Sequence, residues 1–169
     1  LGVFVASGTV GVYAIAWSLA SFLSVFSNAI HRTIFPEISN INAKDNPQNP
    51  TNLINDALTF TGLMLIPGLV GGAIVSDRLL RIYGPEFSQG STVLVILIAA
   101  VLANSFHRTF TTVMNGLDRP DLSFKVYTTF IPLNIVLNFA FIHLFGMIGA
   151  AIATFLSTVV GFALSYWML

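Results

Sequence analysis

The sequence predicts an all-α protein, a polytopic bundle of transmembrane helices, and three observations carry that reading. From Val126 to Leu169 the chain runs without one Asp, Glu, Lys or Arg and is apolar almost throughout. Across all 169 residues 55% are hydrophobic and only 8% charged, with a mean hydropathy of +0.83, whereas a soluble domain is nearer a quarter charged. Uncharged windows of about 20 residues, the length a helix needs to cross a bilayer core, recur between polar stretches. The expected organisation is a single transmembrane lobe, residues 1–169, with five complete spans at about 10–35, 57–83, 91–115, 122–145 and 147–169 and a truncated one before them.

Residues Leu1 to Ile30 carry no charge, more than one crossing needs, and Ser7-Gly8-Thr9 supplies a turn near the start. Residues 1–6 therefore read as the stub of a truncated span. An opening inside an apolar run, without Met or a basic n-region, points to a piece of a longer protein and not to a signal peptide. The first full span is expected to end around Pro36-Glu37, and the Asn-rich stretch Ser39 to Asn55, with Pro47 and Pro50, to be a solvated loop. In the second span Pro67 stands near the centre with Gly68, Gly71 and Gly72 after it, which predicts a kink and close helix packing. Asp77, Arg78 and Arg81 mark its emergence into the headgroups, and Gly84-Pro85 stops it near Tyr83, with Gly as a left-handed cap.

Ser91 is placed to cap the third span, which ends at Asn115-Gly116, and Asp121 to cap the fourth. The fourth and fifth form a tight helical hairpin broken at Phe145-Gly146-Met147-Ile148-Gly149. On the first arm Asn134 and Asn138, four apart, share a face that should meet protein or water. On the second, Gly149, Ala153, Ser157, Gly161 and Ser165 form a ridge of small residues that lets another helix come close. Arg32, Lys44, Arg108, Arg119 and Lys125 fall on one side and only Arg78 and Arg81 on the other, so the first side is expected to be cytoplasmic.

Several chemistries are set aside. Seven basic and seven acidic residues cancel, leaving no basic surface for nucleic acid, and without cysteine there is no disulfide or thiolate. No phosphate loop, zinc-binding spacing or nucleophile elbow occurs, so neither ATP hydrolysis, nor a metal, nor a cofactor is expected. A membrane-embedded glycan transferase needs an acidic base, but Glu37, Asp56, Asp77 and Glu86 all sit at loops where charge is ordinary. The expectation is that the chain is not an enzyme.

Two dipeptides stand out, His31-Arg32 and His107-Arg108, at similar depth in helices expected to run the same way. Each arginine either snorkels to the headgroups or faces a water-filled cavity or partner, where its planar fork suits phosphate oxygens. Asn28 and Asn104 each precede an arginine by one helical turn and serve either as helix glue or as cavity lining.

Five patches in order, Val10-Gly11-Val12-Tyr13-Ala14-Ile15-Ala16, Phe35-Pro36-Glu37-Ile38-Ser39, Ile82-Tyr83-Gly84-Pro85-Glu86-Phe87, Asn115-Gly116-Leu117-Asp118-Arg119-Pro120 and Gly146-Met147-Ile148-Gly149-Ala150-Ala151-Ile152-Ala153-Thr154, resemble the second lobe of polysaccharide-type flippases. These belong to the multidrug/oligosaccharidyl-lipid/polysaccharide exporter superfamily. The resemblance implies two six-helix lobes around a central cavity, of which this chain is most of one, the first lobe lying outside it. It implies translocation of undecaprenyl- or dolichyl-linked glycans by alternating access in the cell membrane of a bacterium or archaeon. Arg32 and Arg108 would then bind the diphosphate of a lipid-linked glycan, Asn28 and Asn104 the first sugar, and His31 and His107 would add charge or point at neighbouring helices. Pro67 and Gly68 would form a hinge. Cation-coupled drug exporters of the same superfamily are the alternative, although they typically rely on a carboxylate buried within a span, and no span interior here holds one. A non-transporting assembly subunit is a third reading, against which the inward amides and arginines speak.

Overall fold

A computed structural model describes residues 7–43 and 51–169, so the expected stub at 1–6 and the centre of the expected loop, Lys44 and Pro47 included, lie outside the described residues. The described residues form five α-helices, α1 (Ser7–Phe22), α2 (Ser24–Ala43), α3 (Thr51–Arg81), α4 (Ser91–Gly116) and α5 (Pro120–Met168), with a 3-10 helix at Pro85–Gly90 before α4. No strand occurs among them. Ile54–Arg81, Pro85–Gly116 and Pro120–Met168 are each long and apolar enough to cross a membrane, and α1 with α2 make a fourth such unit, bent by 42°.

That bend corrects the expectation of one continuous first span. Leu23 N–H bonds Ala20 O at 3.2 Å, a tightened turn, and the Ser24 hydroxyl donates to Ser21 O at 2.6 Å, so the local bonds compete with the helical ladder at this point. Beyond it α2 does not stop at Pro36 but continues to Ala43. Proline in a helix removes one amide bond and crowds the carbonyl four residues back, here that of Arg32. Helix α3 already begins at Thr51, inside the stretch expected as loop. Through Pro67 the backbone of α3 stays helical, and the discontinuity facing it is the one at Leu23: a Cβ on Gly68 would stand 2.9 Å from Leu23 Cδ2.

The helix ends also differ in detail. Gly84 has φ 139° and ψ 151°, an extended backbone of positive φ rather than a left-handed helical cap. Ser91 is not an N-cap, since the 3-10 helix runs straight into α4 and the Ser91 N–H is already bonded to Ser88 O. At the end of α4 the positive φ falls on Asp118 (57°), two residues past Gly116, where Arg119 N–H reaches back to Met114 O at 2.9 Å. Asp121 does not cap α5 either: Arg119 holds the N-cap position without a side-chain capping bond, Pro120 opens the helix, and the Asp121 carboxylate accepts from Arg119 Nε at 3.2 Å.

At 49 residues α5 contains one non-helical residue, Gly146, with φ 58° and ψ −131°. Its two arms fold back there, as the Asn134 Nδ2 to Ser157 Oγ bond of 2.7 Å across 23 residues requires. The closure is tight, since a Cβ on Gly149 would overlap the Phe141 carbonyl. Helix α4 is the hub and touches every other helix. Half of its apolar window is buried, against 17% for α3 and for α5, whose outward faces expose Phe60, Ile74, Phe124 and Phe139 as lipid-facing surfaces do. One core joins Ala16 and Ala20 of α1 to Leu80 of α3 and Leu94, Leu97 and Ile98 of α4. A second joins Ile34 and Ile38 of α2 to Ala57 and Val113.

Candidate anion-binding cavity

Asn28, His31, Arg32 and Phe35 stand at i, i+3, i+4 and i+7 of α2, one helix face. Arg108 and Thr112 are four apart on α4 and face them, and the six residues line a cavity of about 550 Å³. Packing of Gly116 against Ile38, where a Cβ would come within 2.8 Å of Ile38 Cγ2, holds the two helices close just beyond it. Arg108 Nη1 donates to Asn28 Oδ1 at 2.7 Å, a bond between residues 80 apart in sequence. Both arginine side chains are exposed to the cavity. None of the lining residues is acidic, and the ion pairs among the described residues, Arg81 with Asp77 and Arg119 with Asp121, are elsewhere. The cavity is therefore a positive, polar recess without an internal counter-ion, a setting in which guanidinium groups bind oxyanions.

The histidines face helices. His31 Nε2 lies 3.1 Å from Thr109 Oγ1, and that hydroxyl donates its own proton to Ser105 O at 3.1 Å, so His31 must be the donor and carries its proton on Nε2. His31 Nδ1 is buried without a partner. By the same reasoning His107 Nδ1–H donates to Ser165 Oγ at 2.7 Å, because Ser165 donates to Gly161 O. The His107 ring packs on Tyr127 and Phe130, with centroids 5.5 and 5.4 Å away. His31 thus ties α2 to α4 and still contributes to the cavity wall, whereas His107 ties α4 to α5 and does not line that cavity.

Of the residues singled out from sequence, the structure brings Asn28, His31, Arg32 and Arg108 together. Asn104 lines a different cavity, of about 390 Å³, with Tyr13, Trp17, Phe130, Asn134 and Thr154. On the amide face of α5, Asn134 reaches Ser157 on the other arm, and Asn138 Nδ2 donates to Asn134 O at 2.9 Å within its own arm. Gly149, Ala153, Ser157, Gly161 and Ser165 are all buried; at Gly161 a Cβ would lie 3.0 Å from Phe130 and 3.5 Å from His107. On α3, Gly68 packs against Leu23 at the α1–α2 break, Pro67 is exposed beside Ile66 and Phe106, and neither lines the arginine cavity. Phe35 and Thr112 are cavity residues the sequence reading passed over; each stands one turn beyond a residue it did choose, His31 and Arg108, and that spacing was the available signal.

Comparison with known proteins adds a family. All of residues 1–169 match the family described as "Lipid II flippase MurJ". Two relatives come from Haloferax volcanii: "Probable flippase AglR", 37% identical over 164 residues, 95% of this chain and 34% of the relative, and "Probable low-salt glycan biosynthesis flippase Agl15", 34% identical over 158 residues, 93% of this chain and 34% of the relative. The chain spans about a third of the length of these curated relatives. No solved structure matches.

Proposed function

The chain belongs to the lipid II flippase MurJ family, and on that premise we propose that it forms one lobe of a transporter that flips lipid-linked oligosaccharide or polysaccharide precursors by alternating access. The whole transporter is a multi-pass protein of the cytoplasmic membrane of a bacterium or archaeon. It performs no covalent chemistry. With α5 counted as two arms, five complete crossings belong to this lobe, and a first lobe of the same protein closes the central cavity. Pro67 and Gly68 give α3 its bend during transport, beside the break at Leu23.

One observation carries the substrate reading: Arg32 and Arg108, distant in sequence, line one recess with no acid in it. A diphosphate entering the membrane needs positive partners, because an uncompensated charge in low dielectric is prohibitive. At an effective dielectric of ~20, a guanidinium about 4 Å from a phosphate charge contributes roughly 4 kcal/mol before desolvation. Two guanidinium groups match the two charges of a diphosphodiester. Asn104, four residues and so about 6 Å of helix rise from Arg108, is left for the first sugar, and the lipid tail stays among the outward Phe side chains.

The test is flipping of a fluorescent lipid-linked glycan by the full-length protein in liposomes. Arg32→Ala with Arg108→Ala should abolish it at normal protein level, and Lys at either position should rescue poorly because it keeps the charge without the bidentate contact. Full activity of the double Ala variant overturns the proposal.

A further inference from the structure

We infer that Asn28 is a positioning residue for Arg108, and that its neutrality keeps the cavity an anion site; the inference rests on the diphosphate reading above. A guanidinium can only donate, so the 2.7 Å contact with Arg108 Nη1 fixes the Asn28 amide with Oδ1 toward the arginine. Arg108 Nε and Nη2 then have no partner among the described residues, and this edge is one that grips two oxygens of a phosphate side-on. Asn28 Nδ2, likewise without a partner among the described residues, offers two more N–H donors next to it. Asn28 and Arg32 are one turn apart on α2, so the same tie draws Arg108 from α4 toward the face that Arg32 occupies.

Asn is the informative residue type at this position. If the contact served only to join α2 to α4, Asp would serve at least as well, since a carboxylate adds a second, opposite charge to a bond that with Asn has only the charge of Arg108. In an anion site Asp is the worst choice, because its carboxylate cancels one of the two positive charges and competes for the edge the phosphate needs. Joining helices and binding an anion therefore call for opposite residues, and that opposition separates the two roles by experiment.

The experiment uses the full-length protein in nanodiscs and polyprenyl-diphospho-N-acetylglucosamine as the probe, with affinity and thermal unfolding measured on the same samples. Wild type should bind tightest. Asn28→Ala should bind about tenfold more weakly, the scale of one hydrogen bond to a charged group, and Asn28→Asp more weakly still, while melting at or above the wild-type temperature. The salt dependence of binding should be shallower in Asn28→Asp, because one net charge has gone. Should Asn28→Ala fail to insert, Asn28→Ser takes its place with the same expected rank. Any other order of affinities, above all wild-type binding by Asn28→Asp, overturns the inference. Arg32→Ala with Arg108→Ala in the same assay keeps the two claims apart: wild-type affinity there sinks the diphosphate reading itself, whereas lost affinity there beside unaffected Asn28 variants sinks only the role of Asn28.

Discussion

Replacing Gly149 with Ala adds one methyl group to an ordinary helical position, and helix propensity alone says this should stabilise by up to about 1 kcal/mol. The structure reverses the sign. Gly149 is three residues past the turn at Gly146, and its Cβ would occupy the space of the Phe141 carbonyl oxygen, with Ile142 N only 3.1 Å away. Those are backbone atoms, so no side-chain rotation relieves the overlap. Separating the arms far enough to restore a carbon–oxygen contact of about 3.3 Å strains the Asn134–Ser157 bond, the polar tie farther down the same interface. Overpacking costs about 1–3 kcal/mol, and loss of a hydrogen bond between neutral groups adds about 1 kcal/mol, so a destabilisation of roughly 3 kcal/mol follows. Gly71→Ala is the control, because around Gly71 nothing stands within 4 Å and the propensity gain should appear unopposed. Thermal unfolding of both variants in detergent reads the difference. If Gly149→Ala melts with the wild type, or the two variants shift in the same direction, the account of the hairpin is wrong.

Other expectations follow from the same contacts. Ser165→Ala leaves His107 buried with neither ring nitrogen paired to a side chain and should cost about 1–3 kcal/mol, read as a lower melting temperature; an unchanged melt would show that the His107–Ser165 bond contributes nothing. His31→Gln keeps an N–H near the position of Nε2 and should preserve the tie to Thr109, while His31→Leu should lose about 1 kcal/mol, and equal melting of the two would refute that assignment. Pro67→Ala should insert normally yet slow glycan flipping, since it restores an amide bond where the helix is proposed to bend; wild-type flipping by this variant removes the hinge. Gly161→Leu should lower the yield of folded protein through collision with Phe130 without changing which glycan is bound.

Much of the class of this protein was written in local patterns. Uncharged windows of bilayer length, Gly and Pro at their ends, and four-residue spacing of small side chains are properties of a segment and its solvent, so they can be read without knowing what the segment touches. For that reason the apolar stretches, the hairpin turn at Gly146 and the choice of Arg32 and Arg108 as unusual residues came from sequence alone. What needed the tertiary structure were the outcomes of competition between equally plausible local options. Ser91 and Asp121 are good capping residues, but a 3-10 helix running into α4 and a neighbouring Arg119 had already engaged them. Pro36 is a helix breaker, yet α2 passes through it, while the break fell at Leu23, where two short local bonds replace the ladder and Gly68 leaves room for the side chain. The candidate site divides in the same way. Sequence could say that each arginine had an amide one turn behind it on its own helix, but only packing could decide that Arg108 takes the amide of the other helix, Asn28, and that His107 turns away toward Ser165. A helix face fixes direction relative to its own axis, and which neighbour fills that direction depends on how closely the helices can approach, a quantity set by Gly116 against Ile38, by Gly161 against Phe130 and His107, and by Gly149 against Phe141 across the hairpin.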